Sequence, residues 1–284
     1  SSKNNSQVFS TRGIATDSDK NIFLLANRVL VQLSGSKPKM IRLKSNNIYE
    51  KDDLWKLSID KDSLVWVTGY NNHIFKYNFK TQFLQKYLIP TKNYNNEDIL
   101  FGQVFKPYKR NKFLIGGDFG LWVFDKKKGS FDKYNQSFNI HKSTVRDILI
   151  DKNNVWIATE NNGLYCFNEK TNQQKHYTTE SEIKLSSNQV YDIHLTKDKK
   201  LWLGTTEGFN ILDIDENSIS YFSAENGLPD KRVVSIIETK EDFWLGTFNG
   251  LVRYNKKNKK LSKYFVEDGL PSNEFNRASF YKHN

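Results

Sequence analysis

Cysteine is almost missing from this chain: 284 residues contain one, Cys166. No intramolecular disulfide can form, so the fold must hold by packing alone in whichever compartment it works. Proline is scarce at 5 residues, and methionine occurs once. No run of 18 apolar residues exists, which excludes a membrane-spanning helix within these residues. The polar start, Ser-Ser-Lys-Asn-Asn-Ser-Gln, has neither the basic nor the apolar region of a secretory leader. The sequence therefore reads as soluble, and it is compatible with the mature or excised part of an exported, membrane-anchored protein. Stretches with a 3.6-residue apolar period are missing throughout, which excludes helical solenoids. Acidic residues are in deficit, 32 against 43 Lys and Arg, for a net charge of +11. That excess is dispersed: Lys126, Lys127 and Lys128 and the run 256–260 each fall between short apolar segments, where a solvated rim is expected. No basic helix or aromatic RNA-binding motif accompanies them, so no nucleic-acid partner is expected.

Aromatics are abundant, with 20 Phe, 14 Tyr and 6 Trp making 14% of the chain. Such side chains suit pleated surfaces packed face to face. Residues 155–168, VWIATENNGLYCFN, place Val155, Ile157, Leu164 and Cys166 on the period-2 spacing of half-buried strands around an Asn-Gly turn, which predicts a β-hairpin. The hairpin recurs. Its copies start at Phe23, Trp66, Phe113, Trp156, Trp202 and Trp244, so successive anchors lie 42 to 47 residues apart. That period fits one four-stranded propeller blade. The expected fold is all-β: six blades over residues 9–266, with the first strand of a seventh beginning near Leu270. The whole of 1–284 is read as one propeller domain and as a fragment of a larger ectodomain. The constant place of Trp66, Trp156, Trp202 and Trp244 in the second strand predicts that all four pack between neighbouring blades.

Several motifs lose their chemistry once aligned on the repeat. Gly-Gly-Asp-Phe-Gly at 116–120 occupies the same turn as the other copies, so Gly120 serves a positive φ rather than a phosphate. Asp-Ser-Asp-Lys-Asn at 17–21 and Asp-Ile-Asp-Glu-Asn at 213–217 imitate the opening of a calcium loop but coincide with turns between strands. His73, His141, His176, His194 and His283 are scattered without metal-ligand spacing. No catalytic residue, metal site or cofactor is assigned.

The segments 186–210 (SSNQVYDIHLTKDKKLWLGTTEGFN), 226–265 and 268–276 (DGLPSNEFN) resemble the two-component regulator propeller repeat. Asn188, Val190 and Ile193 fit its first strand, Trp202, Gly204 and Thr205 its second, and Gly208 its turn; Trp244, Gly246, Thr247, Gly250, Leu251 and Tyr254 fit likewise. The first copy lacks the Trp and Gly-Thr, and the second has His73 where the turn glycine would stand. The resemblance implies the periplasmic sensor region of a hybrid two-component histidine kinase of glycan-degrading gut bacteria, with the kinase outside this chain. It also implies, as partners, a neighbouring propeller, an immunoglobulin-like domain of the same protein and a homodimer. The expected function is non-enzymatic: recognition of an oligosaccharide, anionic where surplus charge reaches the loops, by one face of the propeller. The turns between second and third strands and the links between blades supply candidate ligand residues Tyr70, Asn72, Asp118, Phe119 and Glu160. Glu207, Arg232, Phe248 and Asn249 complete the set, aromatic faces for sugar rings and polar groups for hydroxyls. A propeller lyase or other glycan-acting enzyme and a protein-binding scaffold are the alternatives.

Overall fold

A computed structural model describes residues 11–17, 19–26, 29–33, 38–42, 54–60, 64–69, 72–78, 81, 83–91, 102–135, 140 and 143–275. The fold is a β-propeller of six four-stranded antiparallel blades, spanning 11–42, 54–88, 102–133, 145–177, 190–222 and 233–264. These are blades 1 to 6. Helix among the described residues is confined to short 3-10 turns such as Ala224–Asn226 and Val266–Asp268. The chain divides into two compact units, 1–102 with 283–284, and 103–282. The first holds blades 1 and 2; the second holds blades 3 to 6.

Each apolar cluster is shared by two consecutive blades. In the first unit, Phe23, Leu25 and Leu30 of blade 1 pack with Leu57, Val65 and Phe75 of blade 2. In the second, Leu114 and Leu121 meet Ile148 and Ile157, Leu164 and Tyr177 meet Leu201 and Leu203, and Phe209 meets Phe243 and Val252. Burying one such side chain contributes about 1.5–3 kcal/mol, so each shared cluster binds one blade to the next. The first strand carries a register shift at the same place in five blades, at 11/13, 54/56, 145/147, 190/192 and 233/235. Such bulges bend a strand and re-aim the next side chain.

The expected tryptophan positions hold for three of four. Trp66, Trp156 and Trp202 are 1%, 2% and 5% exposed. Trp244 is only half-buried; its ring lies against Tyr264 of its own blade, at 5.6 Å, whereas Trp202 lies against Phe243 of the following blade at 3.8 Å. In blade 2 the positive φ falls on Asn72 (59°) rather than on His73, a conformation that Asn tolerates. Residues 270–275 form no strand, but they follow the path of the link between blades 5 and 6. Gly250 N–H donates to the Asn273 carbonyl as Gly208 N–H does to that of Lys231. The rest of the expected seventh-blade strand, 276–284, lies outside the described residues.

Candidate functional site

In blades 4 to 6 the turn between second and third strands is built by a threonine. The Oγ1 atoms of Thr159, Thr205 and Thr247 donate to the carbonyls of Gly163, Gly208 and Gly250 at 2.8, 2.9 and 2.7 Å. The same atoms accept from the backbone of Asn162, Glu207 and Asn249. All three threonines are fully buried, so the Gly-Thr element fixes the turn while the residues between Thr and Gly stay free to vary.

At blades 5 and 6 these turns meet the link that joins the blades. Arg232 holds Asp230 with two bonds, Nε to Oδ1 at 3.0 Å and Nη2 to Oδ2 at 2.9 Å. Its guanidinium lies over the Phe248 ring, 4.3 Å from the centroid. The Arg232 hydrogen bond holds the Asp230 carboxyl below its ordinary value. Lys231 Nζ reaches Glu207 at 2.7 Å, and Asn249 is exposed beside Phe248. The surplus positive charge expected here through Lys231 and Arg232 is thus matched by Glu207 and Asp230. What the face presents is a planar guanidinium–phenyl stack flanked by an amide and paired charges.

The remaining candidates are dispersed. Glu160 pairs with Arg146, both largely buried. Asp118 is half-buried, while Phe119 is 2% exposed and its carbonyl accepts from the Trp122 indole at 3.1 Å. Asn72 belongs to the first unit, where Nδ2 donates to Thr91 at 2.7 Å. Tyr70 lies outside the described residues. Sequence reasoning missed Asp230 and Arg146. Asp230 had a signal, since Asp two residues before Arg makes a local turn in which Arg232 N–H donates to Oδ1 at 2.8 Å. Arg146 had none, being aimed by the bulge.

Also missed was a chain of charge along the first strands. Lys106 Nζ lies 3.2 Å from Asp147 Oδ1; Asp147 Oδ2 accepts from the backbone of Ile193 at 3.1 Å, and Asp192 Oδ2 from that of Ile236 at 2.6 Å. Each carboxylate thereby ties its blade to the next. Burial, then the Asp147 charge and hydrogen bond, push the Asp192 carboxyl well above its ordinary value, outweighing Ile236 and Lys106. Both carboxyl groups are occupied in holding backbone, and no group of three metal-ligating side chains is found among the described residues.

Residues 184–207 match the family model of the two-component regulator propeller, and the chain carries that repeat. A histidine kinase, P4, of Formosa agariphila is 27% identical over 187 residues, 57% of this chain and 12% of that protein. The chain therefore spans about an eighth of the length of the curated relative it matches. Among solved structures, one similar fold is the extracellular domain of a protein assigned as a hybrid two component system from B. thetaiotaomicron. Its TM-score is 0.71 at 16% identity, covering 93% of this chain and 36% of that one. Another is virginiamycin B lyase from Staphylococcus aureus, TM-score 0.67 at 16% identity, covering 91% and 85%. No helix among the described residues is long and apolar enough to cross a membrane.

Proposed function

We propose that this chain is a non-enzymatic, extracytoplasmic sensor propeller of a hybrid two-component system, one that contributes to recognising an oligosaccharide and passes the signal to a kinase outside it. The observation that carries the reading is the regulator repeat at 184–207, whose frame, recurring in blades 4 to 6, builds the turn face and leaves its tips to differ from blade to blade. The ligand would meet Phe248, Arg232 and Asn249: an aromatic edge and guanidinium plane for sugar rings, an amide for hydroxyls. A periplasmic location, a neighbouring propeller, an immunoglobulin-like domain and a dimer of the full receptor belong to the same proposal. The buried pair Asp147 and Asp192 holds backbone of the following blade, a structural use that fits the non-enzymatic reading.

The test is a panel of neutral and anionic oligosaccharides read by thermal shift, on this chain and on a complete ectodomain. A ligand at about 100 times its dissociation constant adds roughly 2.7 kcal/mol, a shift of several degrees. Loss of that shift on Arg232→Ala and Phe248→Ala supports the reading. No shift with any glycan on the complete ectodomain favours the protein-binding scaffold, and released product favours the enzyme.

A further inference from the structure

Opposite the turn face, blades 5 and 6 part to leave a groove of about 600 Å³, within the usual range of small-ligand sites. It opens where the first-to-second turn of blade 5 (196–200) comes near the third-to-fourth turn of blade 6 (256–259). Trp202 and Phe243 close its floor. The cross-strand neighbours of the second-strand tryptophan differ from blade to blade. The second-strand tryptophan is flanked across the sheet by Lys76 and Gln85 in blade 2, and by Cys166 and Lys175 in blade 4. Blade 5 has Ile211 and Ser220 there instead.

Two polar groups in this groove lack protein partners among the described residues. In blade 2 the Trp66 indole donates to Asp60 at 3.0 Å. Blade 5 has Thr196 at that place, and its hydroxyl is spent on the Lys200 backbone. Trp202 is 5% exposed and its Nε1–H has no acceptor among the described residues. The Trp156 indole also lacks an acceptor but is sealed in the interior, whereas Trp202 lines the groove. Tyr254, 6% exposed, lines the same groove, and its hydroxyl has no partner among the described residues. Neither group is among the sealed, unpartnered atoms of the interior; both line the open groove and are available to an acceptor that arrives from outside.

The cations around the groove narrow the choice. Lys256 is committed to Glu238 at 2.6 Å, and Glu238 to His194 at 2.8 Å. Lys200 lies between Asp213 and Asp198, at 3.6 and 3.9 Å. Lys259 lines the groove without a carboxylate partner among the described residues. We propose that the groove binds a small organic acid, its carboxylate taking hydrogen bonds from Trp202 Nε1 and the Tyr254 hydroxyl beside the Lys259 ammonium, its apolar body lying on Ile211 and Phe222. This site is independent of the turn-face reading.

Phenylacetate is the probe, with acetate, 2-phenylethanol and glucuronate as comparison arms, titrated against the chain by tryptophan fluorescence and amide chemical shifts. Phenylacetate is expected to saturate and to perturb residues 196–202 and 254–259. The neutral 2-phenylethanol should bind about tenfold more weakly, since charge-assisted hydrogen bonds are roughly twice as strong as neutral ones. Tyr254→Phe, which keeps the packing, should weaken phenylacetate about tenfold. Lys259→Asn, chosen because Lys259 has φ 58° and Asn tolerates that region, should weaken it a few-fold. Ser220→Gln, restoring the residue of blade 2, should close the groove and abolish binding. Absence of saturable phenylacetate binding would overturn the proposal, as would equal affinity for 2-phenylethanol, tighter binding of glucuronate, or indifference to both Tyr254→Phe and Ser220→Gln. Shifts at 230–232 and 247–249 instead would overturn it and assign the acid to the turn face.

Discussion

Blades 5 and 6 share one sequence frame and meet different surroundings. Trp202 and Trp244 occupy the same register, each in the second strand opposite the third. Trp202 is sandwiched between Phe209 at 5.0 Å and Phe243 at 3.8 Å. Among the described residues the one ring against Trp244 is Tyr264 of its own blade, and Trp244 is half-buried. The first strands differ as well: Asp192 of blade 5 holds the Ile236 backbone, while blade 6 has Ser235 at the matching place. The lesson is that a repeat motif specifies a blade's shape, whereas the following element decides what each motif residue is worth.

The tryptophans give the widest separation. Trp202→Ala should cost about 3–5 kcal/mol, the range for emptying a large aromatic from a packed core. Trp244→Ala should cost about 1 kcal/mol, near the centre of the distribution for point mutants. Denaturant unfolding reads both, and equal costs would break the comparison. The turn glycines come next. A Cβ on Gly208 (φ 95°) would run into the Phe222 carbonyl oxygen, which is backbone and cannot swing aside, while at Gly250 (φ 101°) the nearest atoms stand 2.8 Å away. Gly250→Ala should lose the left-handed penalty of about 1–2 kcal/mol, and Gly208→Ala about 1 kcal/mol more; a reversed order of melting temperatures would refute this.

The buried carboxyl predicts a pH signature for blade 5 alone. Because the folded state raises the pKa of Asp192 above the ordinary 3.8, the folded chain binds the proton that the unfolded chain releases. Its contribution is complete below the ordinary value and is lost as pH rises through the raised one. Asp192→Asn preserves an acceptor for Ile236 and a donor for Asp147 without a titration. The variant should therefore gain stability over the parent as pH climbs from 4 toward neutrality, a difference that vanishes in acid. A parent-minus-variant curve flat with pH would remove the argument.

The smallest effects belong to the turn face. Phe248→Ala should cost about 0.5–1 kcal/mol for an exposed cation–π contact, and Lys231→Ala about 0.2–1 kcal/mol for an exposed ion pair. Losses of several kcal/mol would mean that these residues hold the fold together rather than stand available to a ligand.

Periodicity alone determined the blades. The Trp-to-Gly hairpin repeats because every blade needs two alternating strands and a tight turn, and local chain geometry enforces both. The turn positions of Glu160, Glu207, Phe248 and Asn249 followed from the same frame, as did the turns at 17–21 and 213–217, where Asp17 and Asp213 accept backbone N–H groups. Tertiary structure alone decided partnership. Arg232 finds Asp230 and Phe248, Glu160 finds Arg146, and Phe119 turns into the interior, because bulges and blade packing re-aim side chains over distances no local pattern encodes. Asp147 and Asp192 reach backbone 46 and 44 residues away. The groove between blades 5 and 6 needed both levels: Ile211, Ser220 and Thr196 are legible as departures from the repeat, but only the apposition of two blades makes three small changes into one cavity.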